Sequence, residues 1–231
     1  MKEYNVDDFY NPHYDKHHLS GGHQLCIAGT GRGKSNYLVN CLLQMESTYR
    51  KVIIVCKMKE EKLYRMLKDK LGKALEIMTI NELPSLKNLE KNYQQLIVFD
   101  DFISDKNQDK MVEYIIYCRK YNISLIFLAQ SYFSVDKVIR QNVSYLVLLN
   151  MTDSRNTNLI IHTMGIPVEK EVIKSIISNA TKEKLNCCII DMACGDLNRT
   201  FRRNFNEFYE LEDDGELINP VKMFKHSGLL N

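Results

Sequence analysis

Gly29-Thr30-Gly31-Arg32-Gly33-Lys34-Ser35 places three glycines, a lysine and two hydroxyls within one short segment. Glycines allow successive backbone N–H groups to turn inward and form a concave anion site, to which a helix starting at Lys34 adds its positive end. In such a loop Lys34 reaches the β- and γ-phosphates of a nucleotide, Ser35 offers a hydroxyl to Mg²⁺, and Asn36 follows on the first helical turn. The common pattern carries one more glycine where Ala28 stands. The added methyl strains the turn only if φ there must be positive. A glycine-rich connector without a ligand is the competing reading, and the strand-loop-helix context weighs against it.

Leu96-Ile97-Val98-Phe99-Asp100-Asp101 is an apolar run closed by two carboxylates. A buried strand that delivers Asp100 to its carboxyl end holds a Mg²⁺-bound water, and Asp101 beside it polarises an attacking water. Glutamate is usual in the second place, so Asp101 is a shorter reach. Taken alone, two aspartates after an apolar run are more often a turn or a helix cap; the phosphate loop upstream reverses that judgement. Ser124 to Ala129 is a further apolar run ending in Gln130. At the tip of a strand beside the acidic one, Gln130 orients water and reports the γ-phosphate; its plainer reading is a strand-terminating glutamine.

The elements that must position these groups alternate. Gln24–Ala28, Val52–Cys56, Leu96–Phe99, Ser124–Ala129, Tyr145–Leu149 and Cys187–Asp191 read as strands, with Leu75–Ile80 a short one and Thr200–Phe205 an edge strand. Helical periodicity covers Lys34–Tyr49, Lys57–Leu71, Asp109–Tyr121, Val135–Gln141, Asn158–Thr163 and Val168–Ala180. Strand and helix in alternation predict an α/β fold with a mostly parallel central sheet flanked by helices. Residues 1–22 read as an N-terminal arm, 23–205 as the domain and 206–231 as an acidic C-terminal tail.

Composition sets the frame. The 231 residues are 45% hydrophobic and 26% charged with a formal net charge of +2, enough for a sizeable core and without a global basic field. Seven cysteines, an odd number set mostly in apolar runs and without a C-x-x-C pair, read as free thiols in a reducing, cytosol-like compartment. The start lacks an apolar signal segment, and no apolar run approaches a membrane span. Between Arg50 and Lys73 nine cations face three anions. On a helix that is usually a solvated face; loop cations such as Lys57, Lys59, Lys106 and Lys110 are better placed to track a phosphate backbone.

Cys118 to Gln130, Ser134-Val135-Asp136, Asn142 and Asp153-Ser154-Arg155 resemble the FtsK–HerA superfamily of DNA-translocating ATPases. Asp100-Asp101-Phe102 and Arg140-Gln141-Asn142 look most like the poxvirus-type genome-packaging ATPases of large DNA viruses and virophages. The likeness covers about residues 24–155, and weakly Asp191 and Arg202 to Phe205. It implies a RecA-like (ASCE) core binding ATP and Mg²⁺ in a homo-oligomeric ring of five or six subunits that threads double-stranded DNA, virus-encoded and docking at a capsid or portal vertex. It also implies an arginine given in trans to the neighbour's γ-phosphate, for which Arg119 and Arg155 are candidates and Arg140 a third.

Three functions therefore stand. The first is a DNA-packaging motor. The second is another phosphate-loop enzyme, against which the missing Asn-Lys-x-Asp guanine signal and missing lid-like arginine segment count. The third is a nucleotide-gated scaffold without hydrolysis, favoured by Asp101 in place of glutamate.

Overall fold

The computed structural model describes residues 22–45, 48–101, 108–150, 154–205, 207–211 and 221–222. Six strands are parallel: β1 (Gln24–Ile27), β2 (Lys51–Val55), β3 (Leu75–Met78), β4 (Gln95–Asp100), β5 (Ile123–Ala129) and β6 (Tyr145–Leu149). Between them run helices α1 (Lys34–Gln44), α2 (Lys62–Leu71), α3 (Gln108–Tyr117) and α4 (Lys137–Asn142). Helices α5 (Ser154–Met164) and α6 (Lys170–Ala180) lead to β7 (Cys187–Asp191). The short helix α7 (Leu197–Thr200) and strands β8 (Phe201–Arg203), β9 (Glu207–Phe208) and β10 (Val221–Lys222) complete the order.

Across the sheet the strands lie β10-β9-β8-β7-β6-β1-β5-β4-β2-β3, with β7 to β10 antiparallel. The fold is thus the mostly parallel, helix-flanked sheet that the sequence predicts. β5 inserts between β1 and β4 although it follows both in sequence, so the strand ending at Gln130 lies between the phosphate loop and the acidic pair.

Alternate strand residues enter two cores. Leu25, Ile27, Ile97, Phe99, Leu125 and Phe127 pack with α3 to α6 on one face. Cys26, Ala28, Leu96, Val98, Ile126 and Leu128 pack with α1 and α2 on the other. A sheet covered on both faces needs apolar residues at every strand position, which is why these strands read as continuous apolar runs. Phe99 stacks on Phe127 with centroids 5.2 Å apart and meets Tyr114 edge-on at 6.1 Å. Truncating it to alanine would remove about 3–5 kcal/mol.

Three details depart from the sequence reading. The helix expected over Asp109–Tyr121 tightens into a 3-10 turn at Cys118–Tyr121, ended by Asn122 in the left-handed conformation, φ 54°. Thr200–Phe205 is no edge, because β9 and β10 extend the sheet beyond β8. Nor does the core stop at Phe205, where the acidic tail is expected to begin: Tyr209 is fully buried, donates its backbone N–H to Phe201 O at 2.9 Å and donates its hydroxyl to Asn179 at 2.8 Å. The charges of 207–216 hid two aromatic anchors, Phe208 and Tyr209. The expected arm, apart from Gly22, and the remaining acidic residues 212–216 lie outside the described residues. All seven cysteines are free and six are buried.

Candidate active site

The phosphate loop leaves the carboxyl end of β1, tied to its neighbour by Ala28 N–H donating to Ala129 O at 3.0 Å. Ala28 is fully buried and is not among the residues with positive φ, so its methyl packs without straining the turn. Left-handed backbone falls instead on Gly31 (φ 69°) and Gly33 (φ 102°), the latter being the N-cap of α1. A side chain at Gly33 would also press on Leu185 and Leu149, whose Cδ2 atoms lie 3.0 and 3.2 Å from where its Cβ would stand. Helix α1 is held by buried Tyr37, Leu38 and Cys41; Tyr37 stacks on Phe205 and donates to Gln24 Oε1 at 2.8 Å. The Lys34 ammonium folds back on the loop and donates to Ala28 O at 3.0 Å, while Ser35 and Asn36 stand exposed on the first turn.

Asp100 closes β4 at this same edge. Burial pushes its carboxyl above the ordinary carboxylate range, Asp101 adds to the rise, and a hydrogen bond from Tyr64 together with the Lys34 charge opposes it. Asp101 adopts φ 59° and its N–H donates to Leu128 O at 3.2 Å. Aspartate tolerates that backbone better than most residues. Its carboxylate receives the Gln130 amide at 2.8 and 3.0 Å, and the Gln130 carbonyl oxygen accepts from the Thr30 hydroxyl at 3.3 Å. Thr30 of the loop, Gln130 and Asp101 are therefore joined by one line of side-chain hydrogen bonds.

Two residues of this site have no sequence signal. Tyr64 is fully buried on α2 and donates to Asp100; burial first, then the Asp100 charge, push its hydroxyl pKa up. Glu61 at the N-cap of α2 is raised by burial and then by Asp100 and Asp101. Both sit in a segment that reads as a basic helix, and only the crossing of α2 over β4 brings them here.

Ser35 and Asp100 provide hard oxygen donors, which suit Mg²⁺, an ion that takes few protein ligands and fills its shell with water and phosphate oxygens. The described residues hold no group of three or more His, Cys, Asp or Glu placed for a metal. Burial raises the Asp100 carboxyl and the Lys34 charge opposes that rise, the direction in which a bound cation would also act.

The arginines separate. Arg119 lies in the 3-10 turn before β5, at the opposite end of the sheet from the phosphate loop, roughly 20 Å along a seven-residue strand. There its charge acts on buried His23, whose pKa burial and Arg119 lower to about 4. Arg140 is occupied by its own chain, donating to Val135 O at 3.0 Å and covering the rings of Tyr132 and Phe133. Arg155 is exposed on the first turn of α5, after β6, at the phosphate-loop end. Asp153 and Phe102 of the quoted motifs lie outside the described residues.

Of the loop cations, Lys110 is turned inward, donating to Ile80 O and Leu83 O, so it braces the fold rather than facing a ligand. Lys59 pairs with Glu82 at 2.5 Å, Lys57 is exposed, and Lys106 lies outside the described residues.

The family model of the Poxvirus A32 protein matches residues 13–200. No curated protein sequence matches the chain. Among solved structures, the genome packaging NTPase B204 from Sulfolobus turreted icosahedral virus 2 in complex with AMP is similar at 12% identity. That match covers 79% of this chain and 96% of that one, with a TM-score of 0.52. The same NTPase in complex with ATP-gammaS matches at 12% identity, 80% and 97% coverage and a TM-score of 0.50. The cytoplasmic domain of the Type VII secretion ATPase EccC from Thermomonospora curvata matches at 15% identity over 85% of this chain and 27% of that one, TM-score 0.52. At these identities the likeness is one of fold.

Proposed function

Since this chain belongs to the Poxvirus A32 protein family, we propose that it is an ATPase that drives double-stranded DNA into a viral capsid as a ring of like subunits. The observation that carries the chemistry is the Thr30–Gln130–Asp101 line closing on the phosphate loop beside Asp100. The nucleotide complexes of the B204 packaging NTPase support the same ligand here.

In this reading the N–H groups of Gly29 to Lys34 enclose the β-phosphate, and Lys34 exchanges Ala28 O for phosphate oxygens. Ser35 and Asp100 would hold Mg²⁺, whose charge would offset that of the phosphates. Tyr64 fixes Asp100, so that the carboxylate keeps one orientation. Asp101 polarises the attacking water, and Gln130 orients it. A γ-phosphate entering beside Thr30 breaks the Thr30–Gln130 contact, so nucleotide state is transmitted to β5. Arg155 of a neighbouring subunit would stabilise transition-state charge. Contacts to the DNA phosphates from loop cations such as Lys57 give a grip that is independent of sequence and weakens with salt. Residues 23–211 form the motor domain. No helix of the described residues is long and apolar enough to cross a membrane, and the protein works in the infected cell or at the virion vertex.

A second reading keeps one support: the Asp101 carboxylate is taken up by Gln130, as in a nucleotide-gated scaffold that binds without turnover. ATP hydrolysis with and without double-stranded DNA, repeated on Lys34→Ala and Asp101→Asn, separates the two. DNA-stimulated turnover lost in both variants supports the motor; binding without turnover in the wild type overturns it.

A further inference from the structure

Leu185 is the least expected neighbour of the phosphate loop. It sits in the turn between α6 and β7, is 46% exposed, and has φ 71°, a left-handed backbone that leucine seldom adopts. Its Cδ2 lies 3.0 Å from the position a Cβ on Gly33 would take. The turn is held from both sides: Asn186 donates to Glu183 at 3.1 Å, Asn204 donates to Asn186 at 3.0 Å, and Cys187 N–H donates to Asn204 Oδ1 at 3.0 Å. An uncommon backbone fixed this firmly, with an apolar side chain projecting beside a polar loop, is the pattern of a ligand wall.

The nucleotide reading fixes which part of the ligand meets it. The γ-phosphate end faces Asp100, Asp101 and Gln130 on β4 and β5, to one side of β1. The rest of the molecule must leave the loop on the other side of β1, over β6 and β7. β7 is the second strand from β1, roughly 10 Å away, about the reach from a β-phosphate to a base.

We propose that Leu185 is the apolar platform for the nucleobase, packing on its face beside Gly33. The amides that hold this turn, Asn186 and Asn204, are bonded to each other and to Glu183 and Cys187, so the base is held by its face rather than read at its edge. A surface without edge contacts separates adenine from guanine poorly, so ATP and GTP bind with affinities within about tenfold of each other.

This inference rests on the nucleotide reading, and one calorimetric experiment tests both. The full chain is titrated with ATP, GTP and inorganic tripolyphosphate, which keeps the phosphates and lacks the base. Leu185→Gly removes the side chain and relieves the backbone, and Leu185→Asn keeps a residue tolerant of positive φ while replacing apolar surface by polar. Both variants should melt no lower than the wild type and bind ATP and GTP about tenfold more weakly, with tripolyphosphate affinity unchanged. Equal weakening for tripolyphosphate would mean that Leu185 only props the loop, and unchanged ATP affinity would mean that the base lies elsewhere; either overturns the proposal. A wild type that binds neither ATP nor tripolyphosphate would overturn the nucleotide reading and this proposal with it.

Discussion

The side-chain amide of Gln130 spans both carboxylate oxygens of Asp101, at 2.8 and 3.0 Å, and its carbonyl oxygen takes the Thr30 hydroxyl. The residue proposed to polarise water is thereby tied to the residue proposed to sense the γ-phosphate. Removing Asp101's charge should stop chemistry without loosening nucleotide. For Asp101→Asn we expect kcat to fall about 10²–10⁴-fold, the range of a positioned base, with ATP affinity within about twofold. Steady-state turnover and calorimetry check this; wild-type turnover would remove Asp101 from that role.

Lys34 rests on Ala28 O at 3.0 Å, a partner that the proposed function has it exchange for phosphate. Lys34→Ala leaves the loop's own fold little changed, since the ammonium sits at a partly exposed site. ATP binding should weaken roughly thirtyfold or more, as for loss of one partner of a desolvated charge pair. Equilibrium binding with a melting curve as control measures it.

Tyr64 should act on the proposed metal site through Asp100, to which it donates. Its hydrogen bond lowers the Asp100 pKa against the dominant upward push of burial, so Tyr64→Phe lets that pKa rise further. The acid limb of kcat/KM should move to higher pH, and the Mg²⁺ concentration for half-maximal turnover should increase about tenfold, as for other partners that orient a metal ligand. An unmoved pH profile would show that Tyr64 only fills space.

His23, at the far end of the sheet, is expected to make stability depend on acid pH. It is 1% exposed, its Nδ1 accepts from Leu125 N–H at 3.3 Å, and its Nε2 lies 3.3 Å from Cys118 Sγ. Burial, then Arg119, lower its pKa from 6.5 to about 4. Because the folded value is the lower one, the unfolded chain takes up the proton first as pH falls. The contribution is complete above pH 6.5 and is lost between 6.5 and about 4, amounting to about 3 kcal/mol. His23→Gln should flatten the dependence of Tm on pH across that window.

Arg155 and Arg119 are expected to behave oppositely. Arg155 lies at the phosphate-loop end and Arg119 at the other. In assembled protein Arg155→Ala should cut turnover about 10³-fold with nucleotide binding intact, and Arg119→Ala should leave turnover near wild type. Mixing Arg155→Ala subunits with Lys34→Ala subunits should restore part of the activity, because intact site and intact arginine then meet across an interface. Turnover near wild type in Arg155→Ala alone would dismiss the trans arginine at this position.

Local chemistry made much of this protein legible before folding. A run of apolar residues ended by Asp100-Asp101, another ended by Gln130, and glycines followed by Lys34-Ser35 each state a strand and what stands at its tip, since hydrophobic periodicity and turn chemistry act over a few residues. Even the harmlessness of Ala28 turned on one local angle. What periodicity cannot carry is the order of strands in the sheet and the crossing of helices over it, because these depend on which apolar faces bury each other. Tertiary structure alone placed β5 between β1 and β4, set Tyr64 against Asp100, sent Arg119 away from the site, and drew Tyr209 into a core that its acidic neighbours concealed. The same packing brought Leu185 of a late turn onto Gly33 of the first loop, a contact between segments far apart in the chain that no spacing within either one encodes.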